Sequence, residues 1–258
     1  MIHTIFYKGI STFFYFLNLK MISSPKGIIV LTYHRIIDDV KPNPIVVSSK
    51  AFRQQMQYLY NHKYKVIRVS ELISDLKIQK RLSSKTVLIT FDDGYHGNYL
   101  YAYPILKEFG FLATIFLTTG LIETDKTNPK YKNTAFPNML SQKEVCEMAE
   151  NGIEFGAHTI NHPHLTQINL EEAKREIEEP KKLISEFTGL PIIAFSYPYG
   201  EYNEDIKKLV KEAGFTCAFT VEPGINRQNG DLFELKRIAI DGHDSLFDFK
   251  KKINYWWV

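Results

Sequence analysis

Two adjacent carboxylates, Asp92 and Asp93, are the groups in this chain that point most strongly to chemistry. They end an apolar run from Val87 to Phe91, and Gly94 follows them. This pattern predicts a buried strand that carries both acids to its C-terminal end, where the glycine lets the backbone turn away. Because neighbouring carboxylates repel each other, the pair predicts a cation in the same site, most simply a metal ion.

Two histidines supply further ligands for such an ion. His158 and His162 lie four residues apart, directly after an apolar run at 153–157. With one carboxylate they form a two-histidine, one-carboxylate set, which leaves coordination positions open for water and substrate. An open site predicts Lewis-acid chemistry with a water nucleophile, and the second carboxylate is then free to act as general base. Each motif alone has a plainer interpretation, as a turn or as surface residues.

The elements that position these residues alternate between strands and helices. Ser70, Ser141 and Asn169 are predicted helix caps, and Glu144 completes a capping box with Ser141. The alternation favours a single-domain α/β fold, a distorted (β/α) barrel of about seven or eight parallel strands. A doubly wound open sheet is the alternative, and the lack of a Gly-rich phosphate loop disfavours it. Strands are predicted at 27–34, 66–69, 87–91, 112–118, 153–157, 192–197, 216–220 and 235–240, and helices at 49–61, from 70, 99–109, 142–151, 170–187 and 203–213.

The polar residues of interest all follow predicted strands. His34, the acidic pair, His158 and the turn Tyr197-Pro198-Tyr199-Gly200 each stand where a strand ends. In a barrel the C-terminal ends of the strands gather on one face, and that face carries the catalytic groups. The sequence therefore predicts one site built from several strand ends.

The quoted motifs resemble those of a known family. Thr90 to Gly94 and His158 to His162 are similar to the first two motifs of the polysaccharide deacetylases (the NodB-homology, or carbohydrate esterase 4, family), and the resemblance extends over about residues 27–240. It implies a distorted (β/α) barrel that hydrolyses N-acetyl groups of sugar polymers with a divalent metal, often zinc, with cobalt, nickel or iron as alternatives. It also implies that Asp93, His158 and His162 bind the metal and that Asp92 is the general base.

The third motif departs from the family pattern. The family reads Arg-x-Pro-Tyr where this chain reads Ser196-Tyr197-Pro198-Tyr199. The resemblance implies that the Tyr199 backbone N–H stabilises the oxyanion, but the arginine that orients the base is Ser196 here. Arg237 and Arg35 are candidates to replace it, with an exposed salt bridge as the alternative for each.

The general acid also sits in an unusual place. No good copy of the family's Leu-x-His motif lies near the C-terminus, whereas Leu31 to Ile36 resembles the poly-N-acetylglucosamine deacetylase branch, in which the motif order is permuted. This resemblance implies that protonated His34 donates to the leaving amine. His243 is a weaker candidate, best interpreted as a loop residue. His164 is interpreted as a bystander that Pro163 turns away from the site.

Together the motifs predict release of acetate from N-acetylated amino sugars of a polysaccharide or glycolipid precursor. An O-acetyl esterase on the same scaffold and a non-catalytic carbohydrate-binding protein with a degenerate site are the alternatives. Tyr95, Tyr197 and Tyr199 either stack on a sugar ring or pack in the core.

Composition limits the other partners. A net charge of +3 over 258 residues is too small to argue for nucleic acid. Cys146 and Cys217 lack metal-type spacing, so two buried free thiols are predicted. The sequence makes no prediction of the oligomeric state.

Residues 1–26 predict an amphipathic helix that precedes the catalytic domain at 27–258. The helix is too short and too polar to span a bilayer, so we expect it to pack on the domain or lie on a membrane surface. This favours a cytoplasmic or peripheral membrane location, with export by an atypical signal as the alternative. A second amphipathic segment is predicted at the C-terminus, ending in Trp256 and Trp257. The apolar face of the first helix comprises Phe6, Ile10, Phe13, Leu17 and Met21.

Overall fold

A computed structural model describes residues 27–38, 41, 43–77, 85–122 and 138–255 of the chain. The predicted amphipathic helix at 1–26 lies outside the described residues, and so do Trp256 and Trp257. Within the described residues no helix is both long and apolar enough to cross a membrane.

The ten strands of the described residues are β1 Ile29–Tyr33, β2 Arg35–Ile36, β3 Val46–Val47, β4 Lys65–Val66, β5 Thr86–Phe91, β6 Thr114–Leu117, β7 Glu154–Ala157, β8 Ala194–Ser196, β9 Cys217–Phe219 and β10 Ile238–Ala239. The main sheet is parallel throughout. Its strands run in the order β10-β1-β5-β6-β7-β8-β9, and β4 pairs with the start of β5. A separate two-stranded sheet joins β2 to β3.

One segment near the C-terminus links the two edges of this sheet. Leu235 forms a parallel bridge with Phe219 at the end of β9, and three residues later Ile238 pairs with Leu31 of β1. The sheet therefore curls into a distorted barrel, as the sequence predicts, instead of an open doubly wound sheet. Because β1 and β5 pair in register from Ile29↔Val87 to Tyr33↔Phe91, His34 and Asp92 leave the barrel side by side.

The helices largely follow the prediction. Ser48, Ser141, Asn169 and Asn203 cap four of them through their side chains, and Ser141 and Glu144 form the predicted capping box. The helices of the described residues are α1 Ser49–Asn61, α2 Val69–Lys77, α3 Tyr103–Phe109, α4 Gln142–Glu150, α5 Leu170–Thr188, α6 Glu204–Glu212 and α7 Leu246–Tyr255.

Two local predictions are wrong. Helix α2 begins at Val69, so Ser70 lies in its first turn instead of capping it, and the Glu71 carboxylate accepts the Arg68 N–H at 3.1 Å. The helix predicted at 99–109 is interrupted, because residues Asn98–Ala102 form a π-helical turn before α3 starts. Apart from β5, which begins one residue earlier than predicted, the predicted strands are longer than those observed, since apolar residues extend beyond the ladder hydrogen bonds.

Alternation along the strands sorts the apolar side chains into two layers. Ile29, Leu31 and Tyr33 pack with the surrounding helices, whereas Ile28 and Val30 belong to a separate cluster inside the barrel. Both cysteines are free, and Cys217 is buried as predicted. Cys146 is only half-buried, which corrects the prediction for that thiol, and its Sγ donates to the Phe187 carbonyl at 3.0 Å.

Candidate active site

The Asp92 carboxylate is held by an arginine from the far end of the chain. Arg237 donates from Nη1 to Asp92 Oδ1 at 2.8 Å and from Nη2 to Oδ2 at 2.7 Å, across a sequence separation of 145 residues. Both side chains are buried, with Arg237 at 1% and Asp92 at 3% exposure. Arg237 Nε also donates to the Thr220 carbonyl at 2.8 Å, so the planar guanidinium is fixed on both sides. The alternative of an exposed salt bridge is therefore wrong for Arg237.

This pair determines the charge state of Asp92. Burial alone raises the pKa of the Asp92 carboxyl, because a charged group is disfavoured away from water. The Arg237 guanidinium outweighs burial, and the pKa of Asp92 ends well below its usual range. His158 and His34 lower this pKa further, in that order. Asp92 is thus ionised at neutral pH.

Ser196 provides the space that this arrangement needs. Its Oγ accepts from Arg237 Nη2 at 3.0 Å and lies 3.4 Å from Asp92 Oδ2. A small side chain at this position lets the guanidinium of Arg237, the residue just before β10, reach Asp92. The Ser196 carbonyl faces His158 and accepts a hydrogen bond from its Nδ1 at 2.7 Å.

Asp93 of the first motif comes together with His158 and His162 of the second, as predicted. Asp93 Oδ1 lies 3.6 Å from Nε2 of His158 and 3.6 Å from Nε2 of His162, and one potential ligand atom from each residue lies within 4.8 Å of the others. Because a carbonyl accepts only a proton donor, Nδ1 of His158 carries the hydrogen and Nε2 is left with its lone pair. Two imidazoles and one carboxylate in this arrangement fit a divalent metal ion.

The loop that carries the two histidines is strained. Thr159 and His162 have φ values of 67° and 56°, in the left-handed region that β-branched and bulky residues avoid. Asp93 at 71° and Tyr199 at 58° share this conformation. These four are most of the six non-glycine residues with positive φ in the described part of the chain. Strain of this kind collects at functional sites, where the surroundings hold it in place.

Sequence reasoning missed two residues that support this loop. Glu176 of α5, only 2% exposed, accepts the backbone N–H groups of Ile160 and Asn161 at 2.8 and 2.9 Å. On the other side Gly120 donates its N–H to the Ile160 carbonyl at 2.8 Å. Glu176 could have been noticed in the sequence because it is an acid on the apolar face of a helix, between Ala173 and Ile177.

Tyr199 forms the exposed wall of the site. Its ring lies 4.5 Å from the His162 ring and stacks on His164 at 3.9 Å with an interplanar angle of 9°. His164 Nδ1 in turn lies 2.8 Å from Glu201, so His164 does not join the ligand cluster. Tyr199 is 49% exposed, whereas Tyr95 and Tyr197 are buried and pack in the interior. Of the three tyrosines proposed to meet a sugar, only Tyr199 is placed to do so.

Of the other candidate residues, one lies at the site and two do not take part in it as candidates for the general acid or the motif arginine. His34 is half-buried beside Asp92 at the end of β1. His243 is exposed and its Nδ1 lies 2.8 Å from Asp241, which agrees with the interpretation as a loop residue. Arg35 is buried, and burial lowers its pKa. The bidentate partner of Asp92 is Arg237, so Arg35 is not the replacement for the motif arginine.

Comparison with known proteins decides the family. The model of the polysaccharide deacetylase family matches residues 79–218. The chain belongs to this family. The Bacillus subtilis protein YxkH is 32% identical over 216 residues, which cover 84% of this chain and 72% of that protein. A poly-beta-1,6-N-acetyl-D-glucosamine N-deacetylase of Staphylococcus epidermidis is 27% identical over 86% of this chain and 82% of its own.

A solved structure agrees with this assignment. The Streptococcus pyogenes deacetylase PplD in complex with acetate superposes with a TM-score of 0.77, at 27% identity, over 89% of this chain and 99% of its own. In this polysaccharide deacetylase the absence of the third-motif arginine does not leave Asp92 unpaired, because Arg237 reaches it from β10's side of the barrel. The missing arginine at position 196 is therefore no longer a reason to consider the site degenerate.

Proposed function

We propose that this polysaccharide deacetylase is a metal-dependent amidohydrolase that removes N-acetyl groups from amino sugars of a polysaccharide or glycolipid precursor and releases acetate. The observation that carries the proposal is the juxtaposition of two groups at neighbouring strand ends. One is an ionised acid held by Arg237, and the other is a set of one carboxylate and two imidazoles suited to a divalent ion. Hydrolysis of an unactivated amide needs both functions, a base for water and an electrophile for the carbonyl.

Asp93, His158 and His162 are proposed to hold the ion, with zinc as the first choice and cobalt, nickel or iron as alternatives. When bound, such an ion supplies Lewis acidity, which polarises the amide carbonyl and lowers the pKa of water, so that a weak base suffices. Asp92 is proposed as that base. Its two oxygens are fixed by Arg237, and the remaining lone pairs accept the proton of the attacking water.

The backbone N–H of Tyr199 is proposed to stabilise the developing oxyanion. Pro198 has no N–H and Gly200 donates to the Tyr197 carbonyl at 2.9 Å, so the Tyr199 N–H precedes the first hydrogen bond of this short helical turn. The left-handed conformation of Tyr199 turns its ring onto the histidines. A fixed N–H aimed at the substrate oxygen is worth about 10²–10³ in turnover in other hydrolases.

His34 is proposed to protonate the departing amine. It follows β1 directly, and the Asp92 N–H donates to the carbonyl of the preceding residue, Tyr33, at 2.9 Å, which supports this role. His34→Ala should lower turnover by about 10²-fold or more, since a positioned general acid contributes that much. Metal binding should not change in this variant. Near-normal turnover with bound metal would remove His34 from the mechanism.

The relatives support the choice of substrate. The Staphylococcus epidermidis protein carries the name of a β-1,6-linked N-acetylglucosamine polymer deacetylase, and the Streptococcus pyogenes structure holds acetate. The exposed Tyr199 ring offers a surface on which a pyranose can stack. We therefore propose a polymer or oligomer of N-acetylglucosamine as the substrate.

An acetate-release assay with added zinc tests this function. We expect release from β-1,6-linked N-acetylglucosamine oligomers and little release from acetylated xylan. The reverse preference would make the protein an O-acetyl esterase. Glycan binding with no acetate release under any of the four metals would favour a non-catalytic carbohydrate-binding protein.

A further inference from the structure

Glu176 is a buried acid that the chemical steps above do not use. It lies in α5, and only 2% of it is exposed. Its Oε2 accepts the N–H groups of Ile160 and Asn161 at 2.8 and 2.9 Å, and its Oε1 accepts Asn161 Nδ2 at 2.7 Å. Among the described residues no lysine or arginine pairs with Glu176, so these three donors compensate the buried charge.

All of these contacts fall on the loop between His158 and His162. The loop is held from its other side as well, because Thr119 and Gly120 donate to the carbonyls of Thr159 and Ile160 at 3.1 and 2.8 Å. Glu176 therefore binds the N–H groups of the loop while the strand-end residues bind its carbonyls. Between these two sets of hydrogen bonds lies Thr159, a fully buried β-branched residue with φ of 67°.

We propose that Glu176 is a positioning residue that holds the two histidines in the metal-binding arrangement before the ion arrives. The left-handed conformations of Thr159 and His162 are unfavourable in isolation, so the loop needs an outside constraint to keep them. Charge-assisted hydrogen bonds to the two N–H groups between the histidines supply that constraint. This inference rests on the metal site of the proposed function.

A carboxylate is required at this position because every donor faces it. In Glu176→Gln one oxygen becomes an NH₂ group, which meets either the two backbone N–H groups or the amide of Asn161. If the Asn161 amide reverses to accept from that NH₂, the two backbone N–H groups still lose the charge that strengthens their hydrogen bonds, although the helix keeps its shape. Metal binding should be affected through the loop, without a change in any ligand.

The test measures the affinity for Zn²⁺ alone, on chelator-stripped full-length protein, by competition with a chromophoric chelator. Glu176→Gln should weaken Zn²⁺ binding by about 10- to 100-fold, the usual effect of removing a partner that orients metal ligands. At saturating Zn²⁺ its turnover should return to within a few-fold of the wild-type value. Glu179→Gln is the matched control, since Glu179 is exposed on the same helix and faces Arg175 at 3.9 Å.

The outcomes separate this proposal from the proposed function. A folded Glu176→Gln protein with wild-type Zn²⁺ affinity would overturn the positioning role alone, whatever its melting temperature. Failure of the wild-type protein to bind Zn²⁺ would overturn both the positioning role and the proposed metal-dependent function. If Glu176→Gln does not fold, Asn161→Ala decides, because it removes the exposed partner of Oε1 and leaves Glu176 in place. Weaker Zn²⁺ binding would support the positioning role, and unchanged binding would contradict it.

Discussion

The two halves of the site are held in place by different forces. The half that contains Asp92 is fixed by a buried ion pair with Arg237, and no residue of that pair is strained. The half that contains His158 and His162 is fixed by a strained loop, whose backbone is hydrogen-bonded on both sides by Glu176 and Gly120. One half depends on charge and the other on backbone conformation.

This difference links each half to a different part of the fold. Arg237 lies in the segment that joins β9 to β1, so Asp92 is oriented only when the barrel has curled. The histidine loop is supported by Thr119 and Gly120, which follow β6, and by Glu176 of α5, the helix that comes next after the loop. Ser196 connects the halves, with its hydroxyl towards Arg237 and its carbonyl towards His158. Because the supports of the two halves are otherwise separate, we expect substitutions in the Asp92 half to change turnover and its pH profile, and substitutions in the histidine half to change Zn²⁺ affinity.

The largest effect is expected for Asp92→Asn. An amide cannot accept the proton, so turnover should fall by about 10²- to 10⁴-fold, while Zn²⁺ affinity stays close to the wild-type value. The variant also leaves Arg237 buried without a charged partner, which should lower the free energy of unfolding by about 3–5 kcal/mol. Turnover at saturating Zn²⁺, Zn²⁺ affinity and chemical denaturation measure the three quantities.

Asp93→Asn is the matched contrast, since it makes the same change one residue later. We expect it to weaken Zn²⁺ binding as its primary effect. If Asp92→Asn lost Zn²⁺ affinity and Asp93→Asn kept it, the assignment of the two carboxylates would be reversed.

A smaller effect is expected for Arg237→Lys, which keeps the charge but loses the bidentate geometry. Turnover should fall about tenfold, because the variant loses one of the charge-assisted hydrogen bonds that orient Asp92. Burial raises the pKa of Asp92 and Arg237 lowers it, so a weaker pair should raise the pKa. Asp92 then takes up its proton at higher pH, and the acid limb of the kcat/KM profile should move to higher pH.

The exposed Arg227→Lys serves as the control for this substitution. An acid limb that stays in place in Arg237→Lys, with a normal structure, would show that Arg237 does not tune Asp92. Zn²⁺ affinity should be the same in both variants.

The smallest effect is expected for Gly120→Ala, on the other half of the site. A Cβ at Gly120 would lie 2.6 Å from the Ile160 carbonyl oxygen, so the histidine loop would have to move. We expect Zn²⁺ binding to weaken by about tenfold, at the low end of the range for residues that support metal ligands. The acid limb of the pH profile should not move.

Gly230→Ala is a suitable control, because its Cβ would lie 3.3 Å from the Arg227 carbonyl oxygen, which needs a shift of only a few tenths of an ångström and is far from the histidine loop in sequence. If Gly120→Ala shifted the acid limb and left Zn²⁺ affinity unchanged, the separation of the two halves would be wrong.

Local patterns in the sequence predicted most of the fold and both halves of the site. The β/α alternation gives the barrel, and residues at strand ends give Asp92, His158 and Tyr199. Such features depend on neighbours along the chain. The same local reasoning placed Ser70 as a cap and a regular helix over 99–109, where a hydrogen bond from Glu71 and a π-helical turn decide otherwise.

The remaining features depend on contacts between distant residues. Arg237 and Arg35 were equal candidates in the sequence, because nothing local distinguishes which one reaches a carboxylate 145 residues away. Glu176 stands among several acids in α5, and only its direction towards the loop between His158 and His162 sets it apart. Arg237 and Glu176, which hold other site residues in place, were therefore harder to predict than the residues that they hold.

The most direct test of the account is a zinc titration of the chelator-stripped protein, with acetate release from β-1,6-linked N-acetylglucosamine oligomers measured at each point. The stripped protein should be inactive, and turnover should rise in proportion to Zn²⁺ bound, up to one ion per chain. Full acetate release from the stripped protein, or Zn²⁺ binding without any gain in release, would contradict a metal-dependent deacetylase built on Asp92, Asp93, His158 and His162.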